Sequence, residues 1–173
     1  TPPTRAASIW IRSTACACSN CLNITRLCVC SPVDTGIGAT PFGDRRLGFI
    51  TGGRVFGPRL SGEVLPGGGN WSQGGRLSAD SAVGTFDARS VWRTQDGALI
   101  QLSYTGRSVV PDDVRALFAD PSAPDVDPSR YYLRIAPVFE TASERYGWLN
   151  GILAVGVGER TGFGVRHVIH EIL

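Results

Sequence analysis

The sequence has no lysine and no methionine, and it contains only two histidines. All 17 basic residues are therefore arginines, scattered along the chain, and the net charge is only +2. A nucleic-acid groove needs basic residues clustered in a stripe or patch. Since the chain has no such cluster, we expect no nucleic-acid partner.

Apolar runs are short, and a typical example is residues 152–155. A membrane-spanning helix needs roughly 20 consecutive apolar residues. We therefore expect a soluble chain without a membrane span. The chain begins at Thr1 without a methionine, which fits a processed precursor or a trimmed chain.

Cysteine is absent after residue 30, and all five cysteines lie close together before it: Cys16, Cys18, Cys21, Cys28 and Cys30. One interpretation is one or two disulfides that join an N-terminal extension to the first strand, with an odd thiol left over. The alternatives are a zinc or copper site and free thiols. Disulfides are favoured over a metal because Cys-x-Cys is a poor chelating spacing and both histidines are remote in sequence.

Two sequons, Asn23-Ile24-Thr25 and Asn70-Trp71-Ser72, are candidate glycosylation sites. Together with disulfides and the missing methionine they predict an oxidising compartment. We expect a secreted or vesicular (vacuolar) protein whose signal peptide has been removed.

Helix signals are scarce, whereas 22 glycines and 11 prolines separate short alternating runs. This pattern predicts an all-β fold, a single antiparallel barrel or sandwich. We divide the chain into a cysteine-rich extension with the first strands (1–35) and a barrel (36–173), forming one structural domain. The predicted strands are 8–15, 24–31, 47–55, 60–65, 76–81, 84–94, 99–107, 131–140, 149–158 and 163–172.

One short helix is predicted at Pro111–Ala119, where two aspartates precede good helix formers. It begins a polar insert, residues 111–130. An ordinary surface connection is favoured for this insert over a flap across one end of the barrel.

Alternation assigns two faces to each strand. In residues 84–94 one face carries Asp87 and Arg89, and the other carries aromatic and small residues. In residues 131–140 one face carries Tyr132, Arg134 and Glu140. If the barrel encloses a ligand chamber, we expect these mixed arginine, acid and aromatic faces to line it.

Catalytic and cofactor motifs are missing. The chain has no Gly-x-Ser-x-Gly elbow, and Gly67-Gly68-Gly69 lacks the lysine and helix of a phosphate-binding loop. His167 and His170 are three residues apart on a predicted strand, so their rings point to opposite faces. We therefore expect neither a metal nor a cofactor.

Several motifs occur in a recognisable order: a glycine-rich segment from Gly52 to Gly68, then Trp71, Asp87-Ala88-Arg89, Asp96-Gly97-Ala98, Pro137 to Thr141, and Tyr146 to Asn150. From about Gly36 to Ile172 the chain resembles the domain of unknown function 3237 family of small β-barrel proteins. The resemblance implies a closed or nearly closed, calycin-like antiparallel barrel with a central cavity.

The resemblance also has departures. Where the family usually has an aspartate before the tryptophan this chain has Asn70, and Gln95 stands where an aspartate is often found. An amide cannot carry a proton, so acid chemistry through position 70 is not expected. The cysteine-rich extension looks like the secreted fungal branch, in which some members act as pericyclases.

We therefore expect a cofactor-free pericyclase of secondary metabolism, joining a tropolone-type quinone methide to a terpene alkene by a hetero-Diels–Alder reaction. The alternatives are a secreted lipocalin-like carrier and an acid–base isomerase or hydratase working through Glu140.

The expected partner is a small hydrophobic or aromatic substrate, and a homodimer is possible. The candidate catalytic residues are Arg89, Arg134 and Glu140, and the candidate substrate-binding residues are Trp71, Asp87, Tyr132, Trp148 and Asn150. For these charged residues, a buried network that braces the barrel is an equally good interpretation.

Overall fold

The structure is a computed structural model that describes residues 23–30, 35–120, 122–162 and 164–172. The strand predicted at residues 8–15 lies outside the described residues. So do the predicted disulfides, because Cys16, Cys18 and Cys21 precede them and the side chains of Cys28 and Cys30 are not described.

The described chain forms ten strands, one α-helix and two 3₁₀ segments. The strands are β1 (Asn23–Cys30), β2 (Thr35–Thr40), β3 (Gly43–Phe56), β4 (Ser61–Val64), β5 (Gly69–Arg76), β6 (Ser81–Thr94), β7 (Leu99–Pro111), β8 (Tyr132–Glu140), β9 (Ala154–Thr161) and β10 (Gly164–Glu171). The helix is α1 (Asp112–Ala119), and the 3₁₀ segments are Pro128–Arg130 and Gly147–Gly151.

All the pairings are antiparallel, and they close the sheet into a barrel. β1 pairs with β10 on one side and with β3 on the other, which joins the two ends of the sheet. β1 and β2 lie one after the other along β3, and β4 and β5 do the same between β3 and β6. The ten strands therefore fill eight positions around the barrel. The predicted all-β barrel with one short helix is confirmed.

The predicted strands agree with the observed ones along most of the chain, and the helix matches to within one residue. The strand predicted at 76–81 is wrong, because residues 77–80 form a turn in which Ser81 O accepts from Leu77 N. The strand before this turn, β5, was missed because glycines weaken strand propensity. β5 is held instead by pairing with β3 and β6 on both sides.

Alternation along β6 shows which face of the wall lines the lumen. Ala88, Ser90 and Trp92 are buried, whereas Asp87 and Arg89 are exposed. On β8 the buried residues are Ile135, Pro137 and Phe139, whereas Tyr132 and Glu140 are exposed. The expectation that the mixed charged faces line the lumen is wrong, because desolvating unpaired charges is costly and these residues remain in water.

The two ends of the barrel are closed differently. At the end where β7 leads into α1, Val114 of the helix packs in a small apolar cluster with Val126 and Tyr131. At the opposite end, Tyr146 and Leu149 join the main core. Neither α1 nor any other helix in the described residues is long and apolar enough to cross a membrane.

Glycines on the inner face make room for large side chains of neighbouring strands. A Cβ atom at Gly106 of β7 would lie 2.1 Å from Phe86 Cε2 of β6. Phe86 packs edge-on against Tyr104, with ring centroids 6.3 Å apart. Gly106 therefore makes room for the Phe86 ring that packs against Tyr104.

We predict that Gly106→Ala lowers the free energy of unfolding by about 1–3 kcal/mol, because the added methyl group overpacks the core against Phe86. Gly75→Ala is the matched control, since its Cβ would meet only Val83 Cγ1, at 3.9 Å. Urea unfolding of the two variants measures both effects. Equal stability of the two variants would contradict this account of the packing.

Candidate functional site

A hydrogen bond crosses the lumen from one wall to the opposite wall. Arg26 of β1 and Tyr104 of β7 lie four positions apart in the ring of eight. Arg26 Nη1 donates to Tyr104 Oη at 3.3 Å, and the guanidinium carbon lies 5.4 Å from the centre of the tyrosine ring. Arg26 is fully buried and Tyr104 is 8% exposed. The interior of this small barrel therefore contains a charged group at its centre.

His167 of β10 lies beside this pair. Its Nδ1 is 3.4 Å from Arg26 Nη1, and its ring centroid is 5.5 Å from that of Tyr104. Burial, and then the positive charge of Arg26, lower the pKa of His167 to about 3. The imidazole is therefore neutral at physiological pH.

Two further polar side chains point inward from β5 and β6. Asn70 pairs with Ala88, and Ala88 pairs with Tyr104, so the three residues form one row across the wall. Ser90 follows Ala88 on the same inner face of β6. Among the described residues, neither Asn70 Oδ1 nor Ser90 Oγ has a hydrogen-bond partner, although both atoms are buried. Buried polar atoms of this kind are unusual in native proteins and are explained by a bound water or ligand, or by a catalytic role.

The glycine-rich turn positions Asn70. Gly68 has φ +76, and a Cβ atom there would lie 2.2 Å from the carbonyl oxygen of Arg89. Only glycine tolerates both the left-handed conformation and this close approach to β6. The turn therefore brings Asn70 against the inner face opposite Ala88.

We call Arg26, Asn70, Ser90, Tyr104 and His167 the luminal polar cluster. Aromatic side chains lie on both sides of it along β6, with Phe86 towards α1 and Trp92 towards the other end. In an apolar surrounding, hydrogen bonds from a guanidinium to an acceptor oxygen are stronger than in water. The cluster is therefore suited to binding and polarising an oxygen atom of a flat organic molecule.

The cluster does not resemble a metal site. In the part of the chain that the structure describes, no three His, Cys, Asp or Glu side chains come close enough to hold a metal ion.

Two of the candidate substrate-binding residues meet outside the barrel. Trp71 and Asp87 are directly opposite each other on β5 and β6, and both are exposed. They line a surface groove of about 300 Å³ together with Arg45 and Arg107. The barrel wall separates this groove from the lumen.

The candidate residues of β8 and Arg89 of β6 also lie on the outer surface. The Arg134 guanidinium carbon is 4.8 Å from the Tyr132 ring centroid, and Arg134 Nη1 donates to the carbonyl oxygen of Leu133. Glu140 and Arg89 are exposed on the same face of the wall. In the described residues, neither the pair Arg134 and Glu140 nor the pair Asp87 and Arg89 forms the salt bridge of a bracing network.

Trp148 and Asn150 belong to the segment that closes the end of the barrel opposite α1. The Arg59 guanidinium stacks 3.4 Å from the centroid of Trp148. The Asn150 side chain accepts from Thr141 N at 2.8 Å and donates to Thr141 O at 2.9 Å. The Asn150 contacts hold this segment against the residue that follows β8, and the Arg59 contact joins it to the connection between β3 and β4.

Sequence reasoning did not nominate Arg26, Tyr104 or His167. The sequence did contain a signal for which face of β6 points outward. All the charged residues of β6 are on one face, and charged residues are rarely buried. No comparable signal marks Arg26, because an isolated arginine in a strand is exposed far more often than it is buried.

Comparison with known proteins finds similar proteins of the same fold, several of them described as of unknown function. Residues 24–172 match the model of a family described as protein of unknown function DUF3237. A UPF0311 protein of Rhodopseudomonas palustris is 32% identical over 139 residues, which cover 80% of this chain and 87% of that protein.

Solved structures give the same picture. A protein of unknown function from R. palustris superposes with a TM-score of 0.76 at 30% identity, covering 87% of this chain and 95% of that one. A beta-barrel-like protein from Acinetobacter baumannii superposes with a TM-score of 0.72 at 30% identity, covering 87% and 94%. An enzyme from Penicillium herquei shares the fold, with a TM-score of 0.62 at 21% identity, covering 88% and 94%.

The depressed pKa of His167 predicts how stability depends on pH. The unfolded chain takes up a proton at His167 below about pH 6.5, whereas the folded chain does so only near pH 3. Stability is therefore lost as the pH falls through this window, by about 2 kcal/mol between pH 7 and pH 5.

Urea unfolding at these two pH values measures the loss. We expect it to be largely absent in His167→Leu and retained in His170→Gln, the control in the other histidine of the chain. The same loss in His167→Leu would show that another group causes it.

Proposed function

Since the chain belongs to the DUF3237 family, whose description assigns no reaction, we propose a function from the luminal polar cluster. The protein is a cofactor-free enzyme of secondary metabolism that acts on a small, flat substrate inside the barrel. Most concretely, it is a pericyclase that joins a tropolone-type quinone methide to a terpene alkene. The observation that carries the proposal is the buried Arg26–Tyr104 pair, which places hydrogen-bond donors in an aromatic lumen.

The chemistry needs only these groups. In a hetero-Diels–Alder reaction the two π bonds of the O=C–C=C unit of the quinone methide and the π bond of the alkene are replaced by one C–C bond, one C–O bond and one new C=C bond, and every atom is retained. No proton or electron passes to the protein. Hydrogen bonds to the heterodiene oxygen draw electron density from the conjugated system and stabilise the charge that develops on oxygen. Arg26 polarises the Tyr104 hydroxyl by donating to its oxygen, which strengthens the hydroxyl as a donor.

Aromatic side chains of the barrel wall would orient the two reactants. Phe86, Tyr104, Trp92 and Phe139 surround the lumen, and the last two pack with ring centroids 5.7 Å apart. Ala88 places a small side chain between Asn70 and Tyr104 in the row across the wall. Holding two reactants in contact replaces a bimolecular encounter and lowers the barrier without covalent catalysis.

Two features weigh against an acid–base isomerase. Glu140 is exposed on the outer surface, and a neutral imidazole with a pKa near 3 is a weak base.

The fold neighbour from Penicillium herquei is described as an enzyme, so this type of barrel is compatible with catalysis. A carrier needs the same apolar lumen but no donors directed at a reacting oxygen.

The direct test is to incubate the protein with an ortho-quinone-methide precursor and a terpene alkene, and to analyse the dihydropyran by chiral chromatography. We expect one stereoisomer, formed faster than in buffer. A racemic product at the rate in buffer would refute the enzyme. Saturable binding without turnover would instead identify a carrier.

We predict that Tyr104→Phe lowers kcat by about 10-fold or more, because it removes a donor to the developing oxyanion while keeping the ring. Tyr132→Phe, an exposed tyrosine on the outer surface, is the matched control and should stay within about twofold of the wild type. Thermal unfolding of both variants confirms that they are folded.

The variant Arg89→Leu tests whether the reaction takes place on the outer surface of the barrel or in the lumen. If the outer surface carries the reaction, this variant loses activity and Tyr104→Phe does not.

A further inference from the structure

The contact between Arg26 and His167 determines which nitrogen of the imidazole carries a proton. A guanidinium has donors and no acceptor, so it cannot accept a hydrogen bond from histidine. With Arg26 Nη1 3.4 Å from His167 Nδ1, Nδ1 must be the acceptor. The proton of the neutral ring is then on Nε2.

The His167 ring packs beside a glycine of the neighbouring strand. Gly158 of β9 pairs with His167, and a Cβ atom at that position would lie 3.2 Å from His167 Cδ2, the ring carbon bonded to Nε2. In the described residues, the hydrogen bond of His167 uses Nδ1, and Nε2 has no partner. The N–H group at Nε2 is thus an unpaired donor of a side chain that is only 2% exposed.

We propose that Arg26 fixes His167 as the Nε2–H tautomer, and that His167 is a specificity residue which binds ligands through a carbonyl or enolate oxygen. The ligand part rests on the proposed function, since it uses the same lumen, whereas the tautomer does not. His167 then presents a donor and no acceptor to the ligand. A ligand that brings only donor groups, such as an ammonium, leaves the histidine N–H unpaired and is rejected.

The imidazole ring of His167 is neutral at physiological pH, which supports this role. Burial and the neighbouring guanidinium keep the pKa of His167 low, so the ring stays neutral and Nδ1 stays available to Arg26. His167 is therefore a fixed donor and does not exchange protons with the ligand.

The tautomer is measured directly by two-bond ¹H–¹⁵N correlation NMR of the ¹⁵N-histidine-labelled protein. The chain has only two histidines, and His170→Gln assigns the signals of His167. We expect the pattern of a neutral ring protonated at Nε2. An Nδ1–H tautomer or an imidazolium at neutral pH overturns the assignment.

The ligand class is tested with a matched pair of bicyclic probes, 1-tetralone and tetralin, which differ in a single carbonyl oxygen. We expect tetralone to bind and to shift the His167 Nε2 signal, and tetralin to bind about 10-fold more weakly, the effect of one buried hydrogen bond.

Two substitutions separate the donor from the shape of the side chain. His167→Gln places an amide N–H near the position of Nε2 and should keep tetralone binding within about threefold, whereas His167→Leu should lose about 10-fold. Equal tetralone affinity in the wild type and the Leu variant overturns the role of His167.

The outcomes also distinguish the two proposals. If the tautomer and the tetralone preference are found but the cycloaddition assay gives racemic product, the proposed reaction fails and the specificity site stands. If neither probe binds, the lumen is not a ligand site and the ligand half of the inference fails, whatever tautomer is observed.

Discussion

The structure depends on one buried guanidinium. Arg26 reaches from β1 to the centre of the barrel and hydrogen-bonds Tyr104 on the opposite wall and His167 beside it. Removing a charge from water is costly unless hydrogen bonds replace its hydration. The hydrogen bond between Arg26 and Tyr104 joins strands four positions apart, so it forms only when the barrel is closed. Closure of the barrel and the presence of polar groups in the lumen therefore depend on the same contact.

Closing so small a barrel also requires inner positions without side chains. Gly106 makes room for Phe86, Gly156 for Ile135 and Gly158 for Leu133, and in each case a Cβ atom would lie within 3 Å of the neighbour. Gly158 also lies beside the His167 ring. The glycines that allow the wall to close therefore shape the space around the luminal polar cluster as well.

The fold was largely predictable, and the site was not. Alternation and turn residues located most strands and α1, because strand faces and turns are local properties of the chain. The outer position of Asp87 and Arg89 follows from their charge. We instead placed them inside on the assumption that catalytic polar groups line a chamber. Asp87 does adjoin Trp71, as cross-strand partners, but in a groove on the outer surface.

The sequence by itself determined an all-β chain with inner and outer faces, a helix after β7, and a glycine-rich turn before Asn70. Only the tertiary structure decided that Arg26, Tyr104 and His167 meet, since they are separated by 78 and 141 residues along the chain. Their contact depends on which strands become opposite when the ring closes. That is a property of sheet order and register, to which every strand contributes and which no local pattern encodes.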